Sequence, residues 1–126
     1  MLTGKKIVLG VSGGIAAYKM ANVASMLSKL HADIHVVMTE NATHFITPET
    51  FEVLTGNHCY TDTFDRCMEL HVPHIALGTQ ADAILIAPAS ADVVGKIANG
   101  IADDMLTTCV LPATCPVMLA PSMNVH

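Results

Sequence analysis

Tryptophan is absent, aromatic residues make up 4% of the chain, and only 13% of its 126 residues carry charge. A surface so poor in charge is too apolar for a solitary monomer and predicts self-association. Lysine and arginine together number 6 against 11 acidic residues, for a net charge of −5. No basic cluster exceeds the pair Lys5 and Lys6, which excludes a phosphate-backbone footprint and hence a nucleic-acid partner. No run reaches the roughly 20 apolar residues of a membrane helix. The lysines and apolar run of MLTGKKIVLGV mimic a secretory leader, but Ser12, Gly13 and Gly14 end the run. No CxxC pair occurs among Cys59, Cys67, Cys109 and Cys115. Cys67, His71 and His74 stand close together, but a closed structural site wants a fourth ligand, so no metal is expected, and the thiols read as reduced and cytoplasmic. Neither a repeat nor a linker divides the chain, so one domain with one core is expected.

Hydrophobic content is 52%, and it is arranged in short runs. KIVLGV at Lys6 to Val11 is nearly continuous, as in strands buried on both faces of a parallel sheet. SGG follows directly, and Ile15, Tyr18, Val23, Met26, Leu27 and Leu30 outline a helix from Ile15 to Leu30. Such a strand, glycine turn and helix lets an anion approach free backbone N–H groups, and a phosphate is its natural guest. GVSGG matches neither GxGxxG nor the Walker pattern, so the motif alone does not name the nucleotide.

DIHVVM at Asp33 to Met38 predicts a second, parallel strand with Thr39 at its C-terminal edge. Short helical pieces are expected at Ala42 to Ile46 and Pro48 to Leu54, and Phe45 reads as core or as a face for a planar ligand, with core favoured on pattern alone. The pattern weakens from Gly56 to Val72, a connecting segment long enough to suggest function or mobility. Ala81 to Ala87 is a third strand and Cys115 to Ala120 a fourth. They end in APAS and APSMN, so three small-residue loops should meet at one edge of the sheet, where open α/β folds hold ligands. Between them, Ser90 and Asp92 suit the cap of one helix and Asp103 or Asp104 the cap of a second, with Gly100 separating the two. The fold expected is α/β, a Rossmann-like open parallel sheet with helices on both faces.

SGGIAAYK, VPHIAL, PASADVVGKIANGIADDMLTT and APSMN stand in an order and spacing that resembles the flavin-containing cysteine decarboxylase family, with the bacterial phosphopantothenoylcysteine decarboxylases as the nearest branch. The resemblance covers residues 1–126 and implies a flavoprotein domain whose C-terminal part, including the family's mobile cysteine segment, lies beyond PxMN. It implies FMN as cofactor and a small-molecule substrate. It further implies a homotrimer, sometimes a dodecamer, with flavin between subunits. By matching motifs, Ser12, Gly13, Gly14, Thr39, Phe45, Ser90, Ala91, Asp92 and Ser122 would contact the cofactor. His74 would be the active-site histidine, and Asn124 with Met123 would hold the substrate. At Asp92 the chain departs from the asparagine common in the family.

The reaction implied is decarboxylation of 4′-phosphopantothenoylcysteine to 4′-phosphopantetheine for coenzyme A. Carbon dioxide cannot leave an unmodified cysteine, since the resulting electrons have no adjacent sink. Oxidation of the CH₂–SH carbon to a thioaldehyde by the flavin creates one. An imidazole, with a reference pKa near ~6.5, suits the removal of the thiol proton. Alternatives are a peptide C-terminal cysteine decarboxylase and a non-catalytic flavin-binding regulatory protein.

Overall fold

The computed structural model describes residues 1–62 and 73–121, with the backbone alone for 73–76. Four strands, β1 (Lys6–Val11), β2 (Asp33–Met38), β3 (Ala83–Ala89) and β4 (Val117–Pro121), form one sheet in the order β2-β1-β3-β4. Every pairing is parallel, so each connection must cross over a face and arrive back at the same edge. The helices that do this are α1 (Met20–Lys29), α2 (Pro48–Thr55), α3 (Pro73–Gln80), α4 (Ala91–Ala98) and α5 (Met105–Val110). This is the open parallel α/β architecture expected from the short apolar runs.

β1 is central because its residues can be buried on both sides. Leu9 and Val11 join Met20, Ala24, Ile34, Val36 and Phe51 in a cluster beneath α1 and α2. Val8 points the other way, into a cluster with Ile84, Ile86, Leu77, Val93, Leu106 and Cys109 from α3, α4 and α5. Gly10, on that second face, has no room for a side chain, since a Cβ there would stand 2.5 Å from Cδ1 of Leu106. The glycine thereby lets α5 seat directly on the central strand.

The boundaries of β1 and β2 are those expected. The helix expected over Ile15 to Leu30 divides instead into a 3-10 turn at Ile15–Lys19 and α1. β3 runs two residues later than the sequence suggests, because Ala89 still pairs with Pro121 across a register shift that follows Ile86. The Ala87–Pro88 peptide within it is cis. β4 begins at Val117 rather than Cys115. In the connecting segment, Tyr60 makes a parallel bridge to Val37, while 63–72 lie outside the described residues. Pro73 opens α3, a position that its fixed φ favours.

Candidate active site

The C-terminal ends of β1, β2 and β3 converge, and the loops leaving them are tied together by one side chain. Ser12 is fully buried directly after β1. Its Oγ donates to the carbonyl oxygen of Pro88 and accepts the N–H of Ser90 at 2.9 Å. Its own N–H donates to the Pro88 carbonyl at 3.3 Å. A buried hydroxyl with both functions satisfied is a strong fastener: losing it would take the partner from the Ser90 N–H and leave the Pro88 carbonyl with only the longer bond from the Ser12 N–H.

Ser90 caps α4, accepting the Val93 N–H at 3.3 Å, as its position before the apolar-periodic residues predicts. Thr39, at the end of β2, accepts the Ala42 N–H at 3.2 Å and so shapes the 3-10 turn Asn41–His44. Gly13 lies against that turn so closely that a Cβ on it would come within 2.6 Å of the Asn41 Cβ. Asp104 caps α5 through a capping box, its carboxylate accepting the Thr107 N–H at 2.8 Å while the Thr107 Oγ1 accepts the Asp104 N–H at 3.2 Å.

These pieces enclose a cavity of about 360 Å³ lined by Gly13, Thr39, Asn41, Ser90, Val93 and Lys96 together with the carboxylates Glu40, Asp92, Asp103 and Asp104. Lys96 pairs with Asp92 at 3.1 Å and with Asp103 at 3.2 Å, and these two carboxylates hold its ammonium above the usual lysine range. The wall formed by Gly13, Thr39, Asn41 and Ser90 offers hydroxyls, an amide and bare backbone. Such a donor set suits a polyol chain and a phosphate, whereas the lining carboxylates would repel an anion. The residues present fit a mononucleotide cofactor entering from the Gly13 side.

Of the cofactor residues expected from sequence, Gly13, Thr39, Ser90 and Asp92 meet at this cavity. Ser12 stands behind the wall, its hydroxyl spent on the two loops. Gly14 adjoins Pro88, with a built Cβ 3.7 Å from its ring, and Ala91 is the exposed first residue of α4. Phe45, for which core was favoured, is 48% exposed at the end of the 3-10 turn and does not line the cavity. Ser122, Met123 and Asn124 lie outside the described residues, and His74 is placed by its backbone in the first turn of α3. Sequence reasoning missed Asn41 and Lys96. The rule that selected Thr39 at a strand's C-terminal edge reaches Asn41 two residues on, and Lys96 follows Asp92 at the i,i+4 spacing of helical ion pairs.

Among the described residues Cys59, Cys109 and Cys115 are free thiols, while Cys67 and His71 lie outside them. Burial pushes the Cys59 and Cys109 thiols up to about 12, with Glu52 adding to the effect at Cys59 and Asp104 at Cys109. Neither is suited to act as a thiolate. No helix among the described residues is long and apolar enough to cross a membrane.

A parallel sheet with serine, threonine and glycine loops at the carboxyl ends of its strands defines a mononucleotide-binding α/β domain. More particularly, the Flavoprotein family model matches residues 1–126, and the chain belongs to that family. It is 50% identical over 126 residues to the coenzyme A biosynthesis bifunctional protein CoaBC of Bacillus subtilis (strain 168), covering all of this chain but 31% of that protein. Among solved structures it resembles the FMN-dependent cysteine decarboxylase SpaF, with a TM-score of 0.90 and 37% identity over 98% of this chain and 71% of that one. A PPC decarboxylase variant complexed with pantothenoylaminoethenethiol aligns with a TM-score of 0.80 and 31% identity, over 95% of this chain and 68% of that one.

Proposed function

We propose that residues 1–126 serve as the flavoprotein domain of an FMN-dependent decarboxylase acting on 4′-phosphopantothenoylcysteine in coenzyme A biosynthesis. The observation that carries this reading is the convergence of Gly13, Thr39, Asn41 and Ser90 on one cavity at the carboxyl ends of the strands. It gains support from the identity with CoaBC along the whole chain and from the likeness to SpaF and the PPC decarboxylase.

In this reading Gly13 and Gly14 bring bare backbone to the phosphate and ribityl part of FMN, while Thr39 and Ser90 face it with hydroxyls. Ser12 sets the spacing of those loops from behind, Ala91 and Asp92 open α4 beside them, and Ser122 serves as a further cofactor contact. Phe45 serves as a cofactor contact in this reading, its ring exposed and so open to a planar ligand. When bound, FMN supplies a two-electron sink for the CH₂–SH carbon of the substrate. His74 removes the thiol proton, which leaves the carbon poised for that oxidation and so for loss of CO₂. Asn124, beside Met123, orients the carboxylate by hydrogen bonds without a charge that would oppose its departure as neutral CO₂.

The sparse charge and the exposed Ile15, Tyr18 and Met26 support self-association, and we propose a trimer or dodecamer with flavin between subunits, working in the cytoplasm. The deciding experiment is anaerobic incubation of the flavin-loaded protein with 4′-phosphopantothenoylcysteine, following flavin bleaching and product mass. Bleaching with loss of CO₂ is expected. Failure with this substrate but turnover of a peptide ending in cysteine would replace the substrate, and failure with both would leave a flavin-binding regulator.

A further inference from the structure

We propose that Gly78 is a positioning residue: the missing side chain lets α3 rest on the backbone of α5, and this contact sets where His74 is held. The inference builds on the role of His74 proposed above. Gly78 is buried, and a methyl group built on it would overlap the carbonyl oxygen of Cys109 and stand 3.1 Å from Cγ of Pro112. A carbonyl in the main chain of a helix cannot swing aside as a flexible side chain could. Alanine at position 78 therefore has to lift α3 away from α5.

α5 has little freedom to retreat instead. Leu106 is seated in the space left by Gly10 on the central strand. Asp104 and Thr107 close the capping box at its start, and Asp104 also lines the cavity. The helix is thus a strut of six residues, roughly 9 Å long, between the cavity wall and Gly78. On the other side of the contact, His74 precedes Gly78 by one helical turn in α3, about 6 Å along the axis. Leu77, beside Gly78, is buried in the same cluster as Leu106 and Cys109 and anchors the helix by ordinary apolar packing. Gly95 of α4 offers the contrast, since a Cβ there would meet nothing within 4 Å.

A shift of about 1 Å in a proton-transferring group can lower turnover about 100-fold. Gly78→Ala is expected to keep flavin but to reduce kcat by about 10- to 100-fold, with KM changed less than about threefold, and to move the acidic limb of the kcat/KM pH profile. The His74 imidazole resonance, identified by its loss in His74→Asn, should titrate with a correspondingly altered midpoint. Gly95→Ala should leave each of these readouts as it is. Leu77→Ala should lower the melting temperature yet keep kcat within about threefold, because it empties space without forcing the two helices apart. Wild-type kcat and pH profile in Gly78→Ala, alongside an inactive His74→Asn, would overturn the positioning role. Full turnover by His74→Asn would instead remove the histidine from the mechanism. Should Gly78→Ala not fold, Leu77→Ala decides: retained kcat in a loosened helix supports the proposal, and a loss beyond tenfold defeats it.

Discussion

The N–H of Ser90 donates to Oγ of Ser12 at 2.9 Å across 78 positions of sequence, and the same hydroxyl donates to the Pro88 carbonyl. One side chain therefore joins the loop after β1 to the loop after β3. Ser12→Ala takes the partner from the part-buried Ser90 N–H and leaves the Pro88 carbonyl with the N–H of residue 12 alone. Unfolding by urea should show a loss of about 1–3 kcal/mol, and flavin retained after gel filtration should fall severalfold because two walls of the cavity lose their common anchor.

Asp104 has two duties, capping α5 and lining the cavity. Asp104→Ala should cost about 1 kcal/mol of stability from the lost cap, measured by thermal or urea unfolding. Asp104→Asn retains a capping oxygen and is expected to recover most of that loss. It also reduces the negative charge facing the cavity, so flavin should bind it at least as tightly as wild type.

The Cys59 and Cys109 thiols, raised to about 12 chiefly by burial, should resist alkylation in the folded protein. Peptide mass spectrometry after iodoacetamide treatment at mildly alkaline pH should find both modified at least ~100-fold more slowly than in denaturant. Cys115, which is partly exposed and free, serves as the reacting reference.

Burial tends to raise the Asp33 carboxyl, but hydrogen bonds from His35 at 3.0 Å and Asn57 at 2.9 Å outweigh it and leave the group below its usual range. A carboxylate depressed on folding stabilises the folded state fully above its unfolded value, near ~3.9, and loses that contribution as pH falls towards the lower folded value. Urea midpoints measured from pH 5 down to pH 3 should therefore fall more steeply for wild type than for Asp33→Asn. Parallel curves would rule out a contribution from this carboxylate.

The strands β1 and β2 were legible at both ends because a continuous apolar run stops where burial stops. β3 was less so: Pro88 cannot donate to a ladder, yet Ala89 beyond it still pairs, by way of a register shift that no local pattern announces. Ser90 and Asp104 were readable as caps because capping depends on short oxygen-bearing side chains at fixed offsets. Phe45, favoured as core on pattern alone and assigned to the cofactor by the resemblance, is exposed, and that exposure depends on where a short turn leaves the sheet. The contacts made by Gly13 with Asn41 and by Gly78 with Cys109 join elements distant along the chain. A glycine in sequence does not show whether space around it is scarce, as at Gly78, or open, as at Gly95.

The all-parallel pairing also has a consequence for synthesis. Ile7 pairs with Ala83, so the central strand meets its second neighbour only after 76 further residues have been made. At about 5–20 residues per second, β1 spends roughly 4–15 s with one edge bare as the chain emerges. β2 covers the other edge earlier, leaving a two-stranded apolar ribbon as the species most exposed to misassociation at the ribosome.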